Sequence, residues 1–116
     1  IAYQTKDVAE AMVSDADIDL SSLRVDGGAV KNNFLCQLQA NIIGTEIVRP
    51  VVDETTALGS AYAAGLAVGY WDDVDSLRDN WQVDRRFPID EDADIEVNYD
   101  RWKDAVERSE NWAQDE

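Results

Sequence analysis

The stretch Leu23-Arg-Val-Asp-Gly-Gly-Ala-Val-Lys-Asn-Asn33 restricts this chain more than any other. Three residues patterned as a buried strand, Leu23 to Val25, run straight into Gly27-Gly28. A helix whose apolar face reads Phe34, Leu35, Leu38 and Ile42 begins almost at once. Paired glycines between a strand's carboxyl end and a helix start let a ligand reach the backbone where no Cβ stands in the way. In α/β sheets ligands sit at that end of the strands. The geometry by itself suggests a nucleotide or phosphate site, and a tight βα turn that binds nothing is the simpler alternative. The spacing is neither the six-position dinucleotide fingerprint nor a P-loop, so those two mechanisms are excluded.

The rest of the chain reads as alternating helix and strand. Residues 1–13 form a helix, followed by a polar turn at Ser14-Asp-Ala-Asp17. Asn32 to Ile43 is a helix stopped by Gly44 in the C-cap position. Glu46 to Arg49 is a second strand, ended by Pro50. The link between the two strands contains a helix and is long enough for a parallel crossover. Thr55 to Val68 is a third helix with Thr55 or Asp53 as N-cap. It is rich in small residues, and its two glycines each cost about 1 kcal/mol relative to Ala, so close packing against a neighbour is expected to offset them. A short helix follows near Asp75 to Asp79. Residues 81–98 read as strand or extended loop. Tyr99, Trp102, Val106, Ser109 and Ala113 recur at helical spacing and close the chain as an amphipathic helix. This order predicts a parallel α/β core, which a Rossmann-like or an actin-like architecture would fit equally.

Composition bounds what such a chain can do. Its 116 residues allow one domain, and 45% apolar residues allow a modest core. There are 25 Asp and Glu against 10 Lys and Arg, a net charge of −15. That charge repels nucleic acid and anionic membrane surfaces. The acids are interleaved with apolar residues and with four Trp and four Tyr, which points to a folded acidic surface rather than a disordered tail. Only three lysines occur, Lys6, Lys31 and Lys103, and no histidine. This pattern suits a salt-adapted organism, in whose cytoplasm molar salt screens repulsion to about 3 Å. The single cysteine, Cys36, cannot form an internal disulfide and reads as a small packed residue in a reducing compartment. No signal peptide is visible, and the apolar run Ala61 to Trp71 is too short to cross a bilayer. A cytoplasmic protein is expected.

Continuing from the glycine pair, the chain reads Gln37-Leu-Gln39, Gly44, Val48-Arg-Pro50, Glu54-Thr-Thr-Ala-Leu-Gly59, Ala61-Tyr62 and Ala64-Gly-Leu-Ala-Val-Gly-Tyr-Trp71. This succession resembles the C-terminal end of the carbohydrate kinases with the actin-like ATPase fold, and among them the glycerol kinases. The resemblance runs from Ile1 to the tail and weakens between Asp72 and Asn98. It implies a ribonuclease-H-like layer of parallel strands and packed helices. It also implies a fragment: residues 1–116 would be the C-terminal part of the second, nucleotide-binding domain, since members of the family are several times longer. The implied activity is transfer of the γ-phosphoryl group of Mg-ATP to glycerol by a homo-oligomeric enzyme. Alternatives are a fragment of another sugar kinase of the family, or an acidic interaction module that binds no nucleotide, for which exposed Trp71, Trp81 or Trp112 would suit a partner surface.

The resemblance implies that Gly27 and Gly28 contact the ribose and phosphate side of ATP or ADP, and that Asn32 hydrogen-bonds the nucleotide. An amide carries both a donor and an acceptor and can address a neutral ribose or base edge; the alternative duty for Asn32 is an N-cap. Amides opening the next helix would favour an anion. Asp26 reads as a turn former bonded to local backbone, Lys31 as a solvated side chain, and Glu54 and Thr56 as caps. The acidic run Asp90 to Asp94 lacks the spaced ligands of a calcium loop. No catalytic or metal-binding residue is assigned. The base, the magnesium ligands and the acceptor site that phosphoryl transfer needs are expected outside this chain.

Overall fold

The structure, a computed structural model, describes residues 1–93 and 96–110. A three-stranded sheet lies at its centre, in the order β1 (Ser22–Arg24), β2 (Glu46–Pro50), β3 (Val83–Phe87). β1 and β2 run parallel, with Leu23 opposite Ile47. Their connection is the expected crossover, built from a short 3-10 helix (Gly28–Lys31) and α2 (Asn33–Ile43). Gly44 ends α2 in the left-handed region at φ 74, as its position predicted. β3 lies antiparallel on the other side of β2. The ladder slips between Arg49 and Pro50, where a residue without an N–H is tolerated in an inner strand.

The core is small. Val30, Cys36, Ala40, Ile47 and Phe87 are buried together, with Leu23, Val25 and Ile43 packed against them. From α2, Cys36 and Ala40 enter this core, and Gln39 and Ile42 are also buried. Phe34, expected on the inner face, is 73% exposed. The rest of the expected face holds, with Leu35 and Leu38 half-buried and Ile42 buried; only Phe34, at the first turn of α2, stays in solvent. Leu23, expected in a buried strand, is half-buried because β1 stands at the sheet edge.

α1 (Ala2–Ala16) runs through the segment expected to turn at Ser14. It stops only where Asp17 takes φ 52 and its N–H returns to the Val13 carbonyl, a conformation that Asp tolerates better than most residues. Gln39 on α2 donates to the Thr5 hydroxyl on α1. A single-turn helix, α4 (Asp75–Arg78), stands where a short helix was expected, and α5 (Glu96–Ser109) attaches through aromatic rings: Tyr3 lies 5.7 Å from both Tyr99 and Trp102. Lys6 and Lys103 stand over the Tyr99 ring, and the Tyr99 hydroxyl donates to Asp7. Burial pushes the Tyr99 phenol well above its ordinary range, and the bond to Asp7 and the charges of Glu10 and Asp7 act in the same direction. Ala113 and Trp112, assigned to the closing helix and to a possible interface, lie outside the described residues.

α3 (Thr55–Ala67) buries no residue. Only one of its glycines meets the expected close packing: a Cβ on Gly65 would fall 2.2 Å from the Trp71 ring, whereas one on Gly59 would meet nothing. Trp71 is thereby half-buried against Gly65 and Tyr62. The radius of gyration, 18.2 Å, exceeds the roughly 13 Å of a compact chain of about this length. α3 and α5 account for this by standing off the core. Among the described residues no helix is long and apolar enough to cross a membrane.

Candidate functional site

The glycine pair sits where β1 ends. Gly27 has φ 83 and ψ 166, a combination essentially confined to glycine. Its N–H donates to the Asp53 carbonyl at 2.7 Å, and its carbonyl accepts from Val30. Gly28 begins the 3-10 helix, and its φ lies outside the left-handed region. A Cβ built on it meets nothing within 4 Å. Backbone strain therefore explains glycine at 27, and nothing among the described residues explains it at 28.

Asn32 is the N-cap of α2. Its Oδ1 accepts from the Phe34 and Leu35 amides at 3.0 and 3.2 Å. The capping duty is thus present, and it leaves the side-chain NH2 with two donors to offer outward. It also occupies the Phe34 and Leu35 amides, which are then not free to hold an anion at the opening of α2. The short 3-10 turn in front of α2 carries too few aligned peptides for a helix dipole to replace them. A neutral sugar or base edge suits this surface better than a phosphate.

The neighbours differ from expectation. Asp26 accepts from the Thr55 hydroxyl rather than from local backbone, tying the end of β1 to the start of α3. Lys31 pairs with Asp53 at 3.1 Å although its side chain remains largely exposed. α3 begins with no side-chain cap, so Thr55, Asp53, Glu54 and Thr56 do not serve in that capacity. Thr55 is drawn across to Asp26 instead. In the acidic run, the Asp90 amide is held by Asn41 and its carboxylate accepts from the Asp92 amide; Asp94 lies outside the described residues. Among the described residues no group of three or more acidic or thiol side chains stands close enough to share a metal ion.

Arg49 is the residue whose role the sequence reading missed. Its Nε and Nη2 both reach the Asp84 carboxylate at 2.7 Å. Its Nη1 donates to the Val30 carbonyl at 2.8 Å and to Asn33 Oδ1 at 2.9 Å. A signal existed, because Arg49 interrupts the apolar run of β2, and a charge at a mostly buried strand position needs partners on both sides. A cleft of about 220 Å3 bounded by Lys31, Arg49, Pro50, Val51, Asp53 and Asp84 lies beside the turn.

Residues 1–68 match the C-terminal domain of the FGGY family of carbohydrate kinases. The glycerol kinase of Haloquadratum walsbyi is 74% identical over the whole chain, and that of Haloferax volcanii is 72% identical. The chain spans only 23% of the length of each. Both relatives are haloarchaeal, in keeping with the acid-rich, lysine-poor surface. The crystal structure of Plasmodium falciparum glycerol kinase with ADP superposes with a TM-score of 0.73 at 35% identity, covering 94% of this chain and 22% of that one. The mixed sheet with its crossover helix is thus that of the sugar kinases of actin-like ATPase fold. With more than half of its residues matched by the family's own domain, the chain belongs to the FGGY family of carbohydrate kinases.

Proposed function

We propose that the protein carrying this segment is an ATP-dependent glycerol kinase, which moves the γ-phosphoryl group of ATP to glycerol and releases sn-glycerol 3-phosphate and ADP. Residues 1–116 are read as the C-terminal part of its second, nucleotide-binding domain, and the enzyme as cytoplasmic and homo-oligomeric. The names of the relatives and the ADP of the Plasmodium enzyme support the activity. For the site, the observation that carries the reading is Gly28: it is a glycine that neither its backbone nor its packing among the described residues requires, on open surface at the carboxyl end of β1. A ligand face lying against that backbone supplies the missing reason.

In this reading Gly27 shapes the turn, Gly28 presents bare backbone to the nucleoside, and Asn32 turns its amide nitrogen toward a ribose or base acceptor while its oxygen caps α2. Magnesium, when bound, neutralises developing charge on the transferred phosphoryl group. Its ligands, the catalytic base and the glycerol contacts belong to other segments of the polypeptide.

An NMR titration with Mg-ATP and Mg-ADP in concentrated potassium chloride tests the assignment. The Gly27, Gly28 and Asn32 amides are expected to shift together and saturate, and glycerol alone is expected to leave them in place. A well-dispersed spectrum that does not respond to nucleotide into the millimolar range would remove these residues from the site.

A further inference from the structure

We infer that Arg49 is the positioning residue of this site: one guanidinium, anchored on Asp84, fixes the turn that carries Gly28 and Asn32. The inference rests on the reading of those two residues as nucleoside contacts.

Asn32 lies between the two groups that Nη1 grips, the Val30 carbonyl and the Asn33 side chain. Gly28 lies two residues before Val30. The guanidinium side chain is only 14% exposed, and its other edge is occupied by Asp84 from β3. Both the charge and the fork are therefore satisfied. This matters because a desolvated guanidinium with an open donor would destabilise the junction. The same Val30 carbonyl accepts from the Cys36 thiol at 3.2 Å, and the Val30 side chain is buried with Ile47 and Phe87. The turn is thus fastened to the core on one side and to the β2–β3 ladder on the other. Asn32 stands between the two fastenings. A lysine could not replace Arg49, because a point charge with no planar fork cannot hold a carbonyl, an amide oxygen and a carboxylate in fixed directions.

The roles of the two partners separate by substitution in the intact kinase. Arg49→Met keeps the apolar stem and removes every donor; the Asp84 it leaves behind is 46% exposed and remains hydrated. Asp84→Asn removes the charge and keeps an acceptor. Arg49→Met is expected to raise the KM for ATP about tenfold, the effect of one well-placed charged hydrogen bond. The KM for glycerol stays unchanged, and Asp84→Asn has a much smaller effect. A loss of folded protein alone would lower kcat and leave both KM values in place. Amide hydrogen exchange supplies a readout that needs no nucleotide. The Asn32, Phe34 and Leu35 amides are expected to exchange about tenfold faster in Arg49→Met, while the middle of α2 keeps its protection. Unchanged exchange at these three amides would overturn the inference. So would a loosened turn with an unaltered KM for ATP, provided that Gly28→Val impairs the enzyme. If Gly28→Val is also without effect, the nucleoside assignment itself is wrong and the inference falls with it.

Discussion

Gly28→Val is expected to leave the protein folded and to lower kcat/KM for ATP roughly a hundredfold, the effect of displacing a bound reactant by about an ångström. The backbone at Gly28 has an ordinary φ, and a Cβ there points into open space. The side chain therefore costs little until a ligand arrives. Gly27→Ala behaves in the opposite way. Its φ of 83 with ψ of 166 strains any L side chain, at a cost of about 1–3 kcal/mol, so stability falls even without nucleotide. Thermal denaturation in concentrated potassium chloride, run beside ATP kinetics, separates the two glycines. A Gly28→Val enzyme with normal ATP kinetics would mean that nothing approaches this backbone.

The largest effect on stability is expected at Phe87. It is 1% exposed, the only buried residue of β3, and it closes the cluster formed by Val30, Cys36, Ala40 and Ile47. Phe87→Ala should cost about 3–5 kcal/mol, since a core this small has few side chains able to collapse into the void. Phe34→Ala should fall within about 0.5 kcal/mol of the unaltered protein, because Phe34 is 73% exposed. Urea titrations of the two variants give a direct comparison. A large loss at Phe34 with none at Phe87 would place Phe34 in the core and refute the packing described above.

That comparison shows where the sequence was legible. The crossover from β1 through α2 to β2 could be read because each boundary has its own local chemistry: a glycine pair, an N-cap asparagine, a C-cap glycine and a proline. The exposure of Phe34 could not, because its apolar side chain fits the period of the inner face while its place in the first turn of α2 leaves it in solvent. β3 was only half visible. Val83-Asp-Arg-Arg-Phe87 alternates poorly, since all but Phe87 are exposed. Its cross-strand partners are ionic, with Asp84 on Arg49 and Arg86 on Glu46, as suits an edge strand that must resist pairing with another chain. For the site, the motif identified Gly27, Gly28 and Asn32, but the bonds that hold them come from Asp53, Thr55 and Arg49. Those residues meet the turn only after folding.

The bond from Cys36 to Val30 makes the protein its own reporter. Cys36 is fully buried and is the only cysteine in the chain. Burial pushes its thiol up, against a smaller pull downward from Arg49 and then Arg85, so it is a poor nucleophile while the turn is closed. A thiol reagent can then react only as fast as the turn lifts from α2. With any thiols in other segments of the polypeptide replaced, the modification rate becomes a clock for that opening. Nucleotide should slow the clock, and Arg49→Met should quicken it. Stopped-flow labelling would follow both without isotope or crystal, and a rate that neither change alters would separate the motion of the turn from the occupancy of the site.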